Sequence, residues 1–450
     1  MFFFYNKDMV RYFFIVNISI ILIFATSFNA RAETMEQTLE NGLNVILKKD
    51  KRAPVVTSHV WYKIGSADEI SGKTGLSHAL EHMMFKGTKN NPGDVFSQTI
   101  SKLGGKENAF TSKDYTAYYQ TLPSQYLEEA IKLESDRMNN LVITKDDFIK
   151  EIEVIKEERR LRTDDQSEGI AYEQLYANAY SNGPYRDPII GWMEDLNNMT
   201  DKDILNWYKG WYAPNNATVV IVGDIDFEET LKLVKKYYGS KKKENIKERT
   251  NRSEPVQYGE KNISIKIEDK PSYLIIGYKV PSFNSSSVKK WECYALSVLS
   301  GILSSGQNSR LLKTLVRDKK IASYADSGYS IFARKEPLFM IDVNPIVGKK
   351  ISTIEYELSK IVKDLKTKLV SKKELDRIKA QVLASEVYQQ DSIDYQARIL
   401  GMVKTSVGDI GIIDKYTSNI SSVTALQVRE VARKYLVPSL KTTIKVNDIE

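Results

Sequence analysis

Runs of alternating or β-branched residues at 43–47, 55–63 and 218–222 predict strands, and apolar positions at helical spacing fill the intervals between them. The stretch 240–255 breaks this pattern. Lys, Glu, Asn, Arg and Ser dominate it, hardly an apolar residue occurs, and it reads as a linker whose charge is solvated. Its two sides echo one another. Thr200 opens a helical period that ends at Trp211-Tyr-Ala-Pro214 and passes into the strand at 218–222, and Thr424 opens another that ends at Tyr435-Leu-Val-Pro438 and passes into 442–446. The spacing from Thr200 to Pro214 equals that from Thr424 to Pro438, and the aromatic rings of Trp211 and Tyr435 fall at the same place within it. A Thr cap and a Pro stop are common singly, but matched copies, each closing a segment of about 200 residues, predict a duplicated domain of helices and strands. The boundaries that follow are 33–239, a linker at 240–255, and 256–450. In the second copy a helix at 288–303 takes the place of the one around His78, without a histidine or a comparable pair of acids, so that copy is expected to keep the fold and lack the chemistry.

The leading segment, 1–32, stands apart. Lys7 and Arg11 precede an apolar run over 13–28, and Ala30-Arg31-Ala32 supplies a cleavage site, the three parts of a secretory signal peptide. A retained anchor is the other reading, although the run is near the lower limit for a span. No later segment approaches spanning length, so no stable membrane span is expected once the leader is removed. Removing it takes the formal charge from +7 to +5, since Lys7, Arg11 and Arg31 outweigh Asp8 by two. Much of the remaining excess falls within 241–252 without interleaved aromatics, which excludes a recognisable nucleic-acid module. The lone Cys293 has no intrachain partner and lies in an apolar stretch, as a small buried hydrophobe would.

Candidate chemistry is concentrated. The chain has three histidines, at 59, 78 and 82, and two of them share a five-residue window with Glu81. Residues four apart on a helix lie on one face, so His78 and His82 can bind one metal ion from adjacent turns while Glu81 borders that face, within reach of a metal-bound water. H-x-x-E-H is the zinc-peptidase helix in inverted form. Leu80, Met83, Met84 and Phe85 mark this helix as mostly buried, where imidazoles and a carboxylate are costly unless a cation satisfies them.

A catalytic zinc site usually takes three protein ligands. His59 has strand-like surroundings and no route to the site, which leaves a carboxylate. Over 148–162 an apolar stripe runs through Phe148, Ile152 and Ile155, with Glu151 and Glu158 on or beside it and Glu153 and Glu157 pointing elsewhere. Ligation by one acid of the pair with support from the other accounts for two carboxylates on such a face. Ion pairs with Arg159, Arg160 or Arg162 are the plainer reading.

The stretch Gly75-Leu-Ser-His78-Ala-Leu-Glu81-His82-Met-Met-Phe-Lys-Gly87-Thr88, followed downstream by Glu158 in Glu151-Ile-Glu-Val-Ile-Lys-Glu-Glu158, resembles the pitrilysin/insulinase family of zinc peptidases, the inverzincins. The likeness is to its half-length, two-domain members of the mitochondrial processing peptidase type, and to the catalytic subunit, because the glycine-rich loop of the non-catalytic subunit has no counterpart here. The resemblance implies an α+β fold of two homologous domains, each a mainly antiparallel sheet packed with helices, enclosing a peptide-binding cleft. It implies one zinc ion per chain held by His78, His82 and Glu158, with Glu151 in support and Glu81 activating the zinc-bound water for hydrolysis of peptides or unfolded segments.

It also implies that Asn108, Ala109 and Phe110 form an edge strand pairing with the substrate backbone, and that Arg317 and Tyr324 reach the site from the metal-free domain. The alternative is a non-catalytic scaffold subunit of the same fold that pairs with an active partner. Expected partners are a peptide substrate and a second copy or related subunit, with export as the destination, periplasmic in a Gram-negative source. The sequence departs from the pattern at Gly183-Pro-Tyr185, where many relatives have a histidine before Pro-Tyr.

Overall fold

The computed structural model describes residues 34–286 and 288–447; the leader at 1–32 lies outside the described residues. Before the 240–255 segment the strands are β1 (Thr34–Thr38), β2 (Asn44–Lys49), β3 (Val55–Tyr62), β4 (Lys106–Thr111), β5 (Thr116–Pro123) and β6 (Ala217–Gly223), in the sheet order β1-β2-β6-β3-β5-β4. After it come β7 (Lys261–Ile265), β8 (Tyr273–Lys279), β9 (Ala322–Gly328), β10 (Leu338–Pro345) and β11 (Lys441–Val446), ordered β7-β11-β8-β10-β9. The two orders superimpose once β1 is set aside. Each sheet is antiparallel except at one place, β2 with β6 and β7 with β11. The α+β class with two related, mainly antiparallel sheets is therefore the observed architecture.

The echo in the sequence has a structural cause. Helix Asp201–Trp211 begins at Thr200, whose Oγ1 accepts from Asp203 N at 3.3 Å while Thr200 N donates to Asp203 Oδ2 at 3.1 Å. Helix Ala425–Tyr435 repeats this box, with Thr424 Oγ1 accepting from Gln427 N at 3.2 Å and Thr424 N donating to Gln427 Oε1 at 2.8 Å. Such boxes satisfy helix donors that otherwise lack partners. Each helix then passes through a single 3-10 turn opened by the proline, Pro214–Asn216 or Pro438–Leu440, into the strand that enters its sheet beside the parallel neighbour.

One face of each sheet carries helices of its own half. The other face is covered from across the molecule. Helix α1 (Leu76–Met83) and helix α2 (Lys145–Arg159) belong to the first core, but helix α3 (Ser167–Ala179) leaves it and lays Ala171, Leu175 and Ala179 on Tyr273, Ile275, Ile444 and Val446 of the second sheet. In return helix α4 (Ile393–Ser406) sets Ala397 and Leu400 on Ile46, Trp61, Val220 and Val222 of the first. This exchange explains why β6 is buried at every residue and reads as a continuous Thr-Val-Val-Ile-Val run rather than an alternation.

The 240–255 segment is irregular, as expected, but its charges are not all solvated. Arg249 Nε lies 3.2 Å from Asp68 and Arg252 Nη1 lies 3.6 Å from Asp187, two carboxylates almost wholly buried. Glu254 accepts backbone N–H groups of Ser181, Asn182 and Gly183 and pairs with Lys279 at 2.7 Å. Buried carboxylates need counter-charges, and the segment supplies them. From the second half, Arg334 adds Nη2 to Asp68 at 2.9 Å and Nε to Asp114 at 3.3 Å. Gly183 sits at this seam, so the missing histidine concerns the seam and not the ligands. Cys293 is buried.

The exchanged helix can be tested where it packs most closely. A Cβ at Gly401 of α4 would lie 2.1 Å from the Trp61 ring. Gly401→Ala should lower the stability read from denaturant unfolding by about 1–3 kcal/mol, and an unchanged midpoint would show that α4 does not rest on Trp61.

Candidate active site

Helix α1 begins at Gly75, whose φ of +86° is left-handed. No side chain fits there, because a Cβ would lie 2.7 Å from the Ile190 carbonyl oxygen. Glu69 closes the open end of the helix, accepting Gly75 N and Ser77 N at 2.7 Å each. Leu76, Ala79, Leu80 and Met83 then face the core, which turns His78 and His82 to the other side with their ring centroids 4.7 Å apart.

Helix α2 supplies the opposite wall. Thr144 caps it, accepting Asp147 N at 3.1 Å, and Phe148, Ile152 and Ile155 anchor it with Glu151 on the same buried stripe. Glu153 and Glu157 are exposed, as the periodicity predicts. Glu158 Oε2 lies 3.3 Å from His82 Nε2 and 3.7 Å from His78 Nε2, and ligand atoms of the three residues fall within 4.8 Å of one another. Glu151 Oε1 holds His82 Nδ1 at 2.8 Å, and its other oxygen pairs with Lys86. Arg162 takes the outer oxygen of Glu158 at 2.7 Å, which bears out the ion-pair reading for that oxygen, while the other oxygen is turned to the two imidazoles.

The electrostatics follow from this enclosure. Burial drives the His78 imidazole down to about 4, with the neighbouring His82 adding to the effect. Burial acts the same way on His82, but hydrogen bonds to Glu151 and Glu158 outweigh it and raise that ring to about 9. Those hydrogen bonds hold both carboxyls below the usual range. Burial raises Glu81, against the hydrogen bond it accepts from Thr111 Oγ1.

Two imidazole nitrogens and one carboxylate oxygen converging on one point are the donor set of a three-ligand zinc site. The Glu151 carboxylate on Nδ1 fixes the tautomer that leaves Nε2 of His82 free to ligate, as outer partners of metal-bound histidines do. His78 Nδ1 has no hydrogen-bond partner among the described residues. The residues fit a zinc ion.

A cavity of about 740 Å³ opens over these groups, and Asn108, Ala109, Phe110 and Thr111 of β4 line it. Among the described residues the outer edge of β4 has no neighbouring strand. The Asn108 side chain accepts Ala109 N at 2.8 Å. Phe110 turns instead to the far face and packs on Trp61, Tyr115 and Tyr119. A slightly larger depression, about 790 Å³, lies in the second half, but no histidine lines it, and two of its charges, Arg310 and Glu374, pair with each other. Size alone therefore does not locate the site.

Arg317 and Tyr324 are not among the residues lining the 740 Å³ cavity. Arg317 stands in a π-helical turn, Leu312–Asp318, and donates to the Gln307 carbonyl at 2.9 Å. Tyr324 is exposed on β9, the edge strand that corresponds to β4. His59 is buried in β3, stacked on Trp61 and Tyr119. Thr111, Lys86 and Glu69 are the contacts that sequence reasoning missed as parts of the site, whereas Arg162, one helical turn beyond Glu158, is the ion-pair partner that its spacing offers. No spacing rule points to Thr111 or Lys86, because each reaches its partner through tertiary packing.

The chain is similar to known proteins over most of its length. The pattern described as "Insulinase (Peptidase family M16)" matches residues 44–192, and that described as "Peptidase M16 inactive domain" matches 198–382. The zinc protease PqqE of Helicobacter pylori is 31% identical over 413 residues, covering 90% of this chain and 91% of that one. The crystal structure of a protease from Helicobacter pylori superimposes with a TM-score of 0.88 at 30% identity, over 92% of this chain and 100% of its own. The periplasmic protease PqqL of Escherichia coli shares the fold at a TM-score of 0.76 and 21% identity, over 92% of this chain and 47% of that longer one. With the matched sequence spanning both sheets and the related chain aligned over nine-tenths of its length, this chain belongs to the insulinase family of peptidases, family M16.

Proposed function

We propose that the chain is a zinc-dependent endopeptidase acting on peptides or unfolded segments. The observation that carries this reading is the convergence of His78 Nε2, His82 Nε2 and Glu158 Oε2 beside the buried Glu81 in a cavity edged by an unpaired strand. A zinc ion bound there would acidify a water molecule and polarise the scissile carbonyl. His82, held by Glu151, and Glu158, held by Arg162, keep their ligating atoms aimed at one point. Thr111 orients Glu81, whose carboxylate accepts the water's proton and returns it to the leaving amine. Asn108 and Ala109 pair with the substrate backbone along the free edge of β4. Arg317 and Tyr324 are the groups of the second half offered to a substrate carbonyl, and they reach it when the halves draw together.

The chain aligns with about half of the Escherichia coli protein, which supports pairing with a second copy or a related subunit. That relative is a periplasmic protease, which supports export as the destination. Among the described residues no helix is long and apolar enough to cross a membrane. A scaffold subunit without activity is the second reading, because the second half matches a pattern described as inactive. The intact ligand set in the first half favours the enzyme.

Four measurements test the reading. Glu81→Gln should keep zinc and lose roughly 10²–10⁴-fold in kcat, whereas His78→Ala and His82→Ala should lose zinc as well; an active Glu81→Gln enzyme with unchanged metal content contradicts the mechanism. Glu151→Gln should weaken zinc binding about 10–100-fold in a competition titration. Chelation should lower the Tm of the wild type by an amount corresponding to about 2.7 kcal/mol when free zinc had stood at 100 times its Kd, and it should leave the Tm of His78→Ala unchanged. Cleavage of a peptide mixture by the purified chain alone separates enzyme from scaffold.

A further inference from the structure

The cavity over His78, His82 and Glu158 holds more cationic side chains than its own carboxylates engage. Lys113, Arg162 and Arg186 line it. Arg162 is taken by Glu158 at 2.7 Å. Lys113 is half-buried and donates to the carbonyls of Tyr185 at 2.8 Å and Asp187 at 3.3 Å. The remaining lining carboxylates are occupied: Glu173 accepts both outer nitrogens of Arg159, and Glu81 accepts Thr111. The guanidinium of Arg186 has neither a hydrogen bond nor an ion pair among the described residues.

The local backbone accounts for this isolation. Tyr185 and Asp187, on either side, are both buried. The Tyr185 hydroxyl donates to Asp114 at 2.7 Å, and Trp192 Nε1 donates to Asp187 Oδ1 at 3.2 Å. With its two neighbours pinned inward and their carbonyls held by Lys113, half-buried Arg186 is left to the cavity. Beside it Tyr172, Tyr176, Pro188 and Ile189 form an apolar wall. A guanidinium is weakly hydrated and presents parallel N–H donors that match a carboxylate, and a wall that excludes water strengthens such a pair.

We propose that Arg186 sets the specificity of this cavity by receiving a carboxylate of the bound peptide, so that acidic peptides are the preferred substrates. The inference rests on peptide hydrolysis at this cavity. The carboxylate comes either from an Asp or Glu side chain or from the free C-terminus of a short peptide, and the same pair of N–H donors holds both.

The test uses the full zinc-loaded chain. Cleavage sites are mapped by mass spectrometry on a peptide mixture, and kcat/KM is then measured for peptides that differ only as Glu, Gln or Lys at the preferred position, with free and amidated C-termini. Zinc content is measured on every variant. The wild type should favour Glu over Gln by about tenfold to a hundredfold. Arg186→Gln should bring that ratio to about one, Arg186→Lys should keep part of it, and Arg186→Glu should invert it in favour of Lys. A preference for the free over the amidated C-terminus that Arg186→Gln abolishes places the recognised carboxylate at the C-terminus and upholds the proposal. Glu-to-Gln and free-to-amidated ratios that are both the same in the wild type and Arg186→Gln, each carrying zinc, overturn it. A zinc-loaded wild type that distinguishes neither Glu from Gln nor free from amidated C-termini removes this inference and leaves hydrolysis standing, whereas one that cleaves no peptide removes both.

Discussion

The packing of helix α2 against helix α1 forces two imidazoles and two carboxylates into one largely enclosed space. Burying unpaired charge costs several kcal/mol, so the arrangement persists only if each group finds a partner. The two acids divide the task by position: two helical turns apart, they lie on one face of α2, with Glu151 reaching the back of His82 and Glu158 reaching its front. Lys86 and Arg162 neutralise the outward oxygens. At the inner point where His78, His82 and Glu158 converge, a divalent cation is the group whose charge and coordination suit the three donors.

The exchange of helices ties that point to the rest of the molecule. Helix α3 is shared: Ala171, Leu175 and Ala179 are buried on the second sheet, while Tyr172 and Tyr176 of the same helix line the cavity. A shift of the second sheet is thereby a shift of one cavity wall. Helix α4 does the converse on the first sheet, and the ion pairs of Asp68 and Asp114 with Arg334 close the seam between them. The two halves are held by a shared apolar core as well as by charge.

Much of the site was legible because its logic is local. The i, i+4 spacing of His78 and His82 and the stripe that carries Glu151 and Glu158 depend only on helical geometry, and both are where periodicity put them. The duplicated Thr-to-Pro unit was legible for the same reason, since caps and stops are written within a few residues. What escaped the sequence depends on distant partners. Nothing in Ser167–Ala179 or Ile393–Ser406 marks those helices as belonging to the other half's sheet, because an apolar stripe does not name the surface it covers. Arg249 and Arg252 sit in a segment polar enough to pass for solvated linker, and only the burial of Asp68 and Asp187 shows otherwise. Arg317 and Tyr324 rested on resemblance, and they stand on the second half away from the cavity lining.

The central claim is that one zinc ion binds where His78, His82 and Glu158 converge. Diffraction from crystals of the zinc-loaded protein, with anomalous scattering recorded at the zinc edge, addresses it directly. The account predicts one anomalous peak per chain, about 2.0–2.1 Å from Nε2 of His78 and of His82 and within bonding distance of a Glu158 oxygen. No peak there, or a peak ligated by other residues, contradicts it.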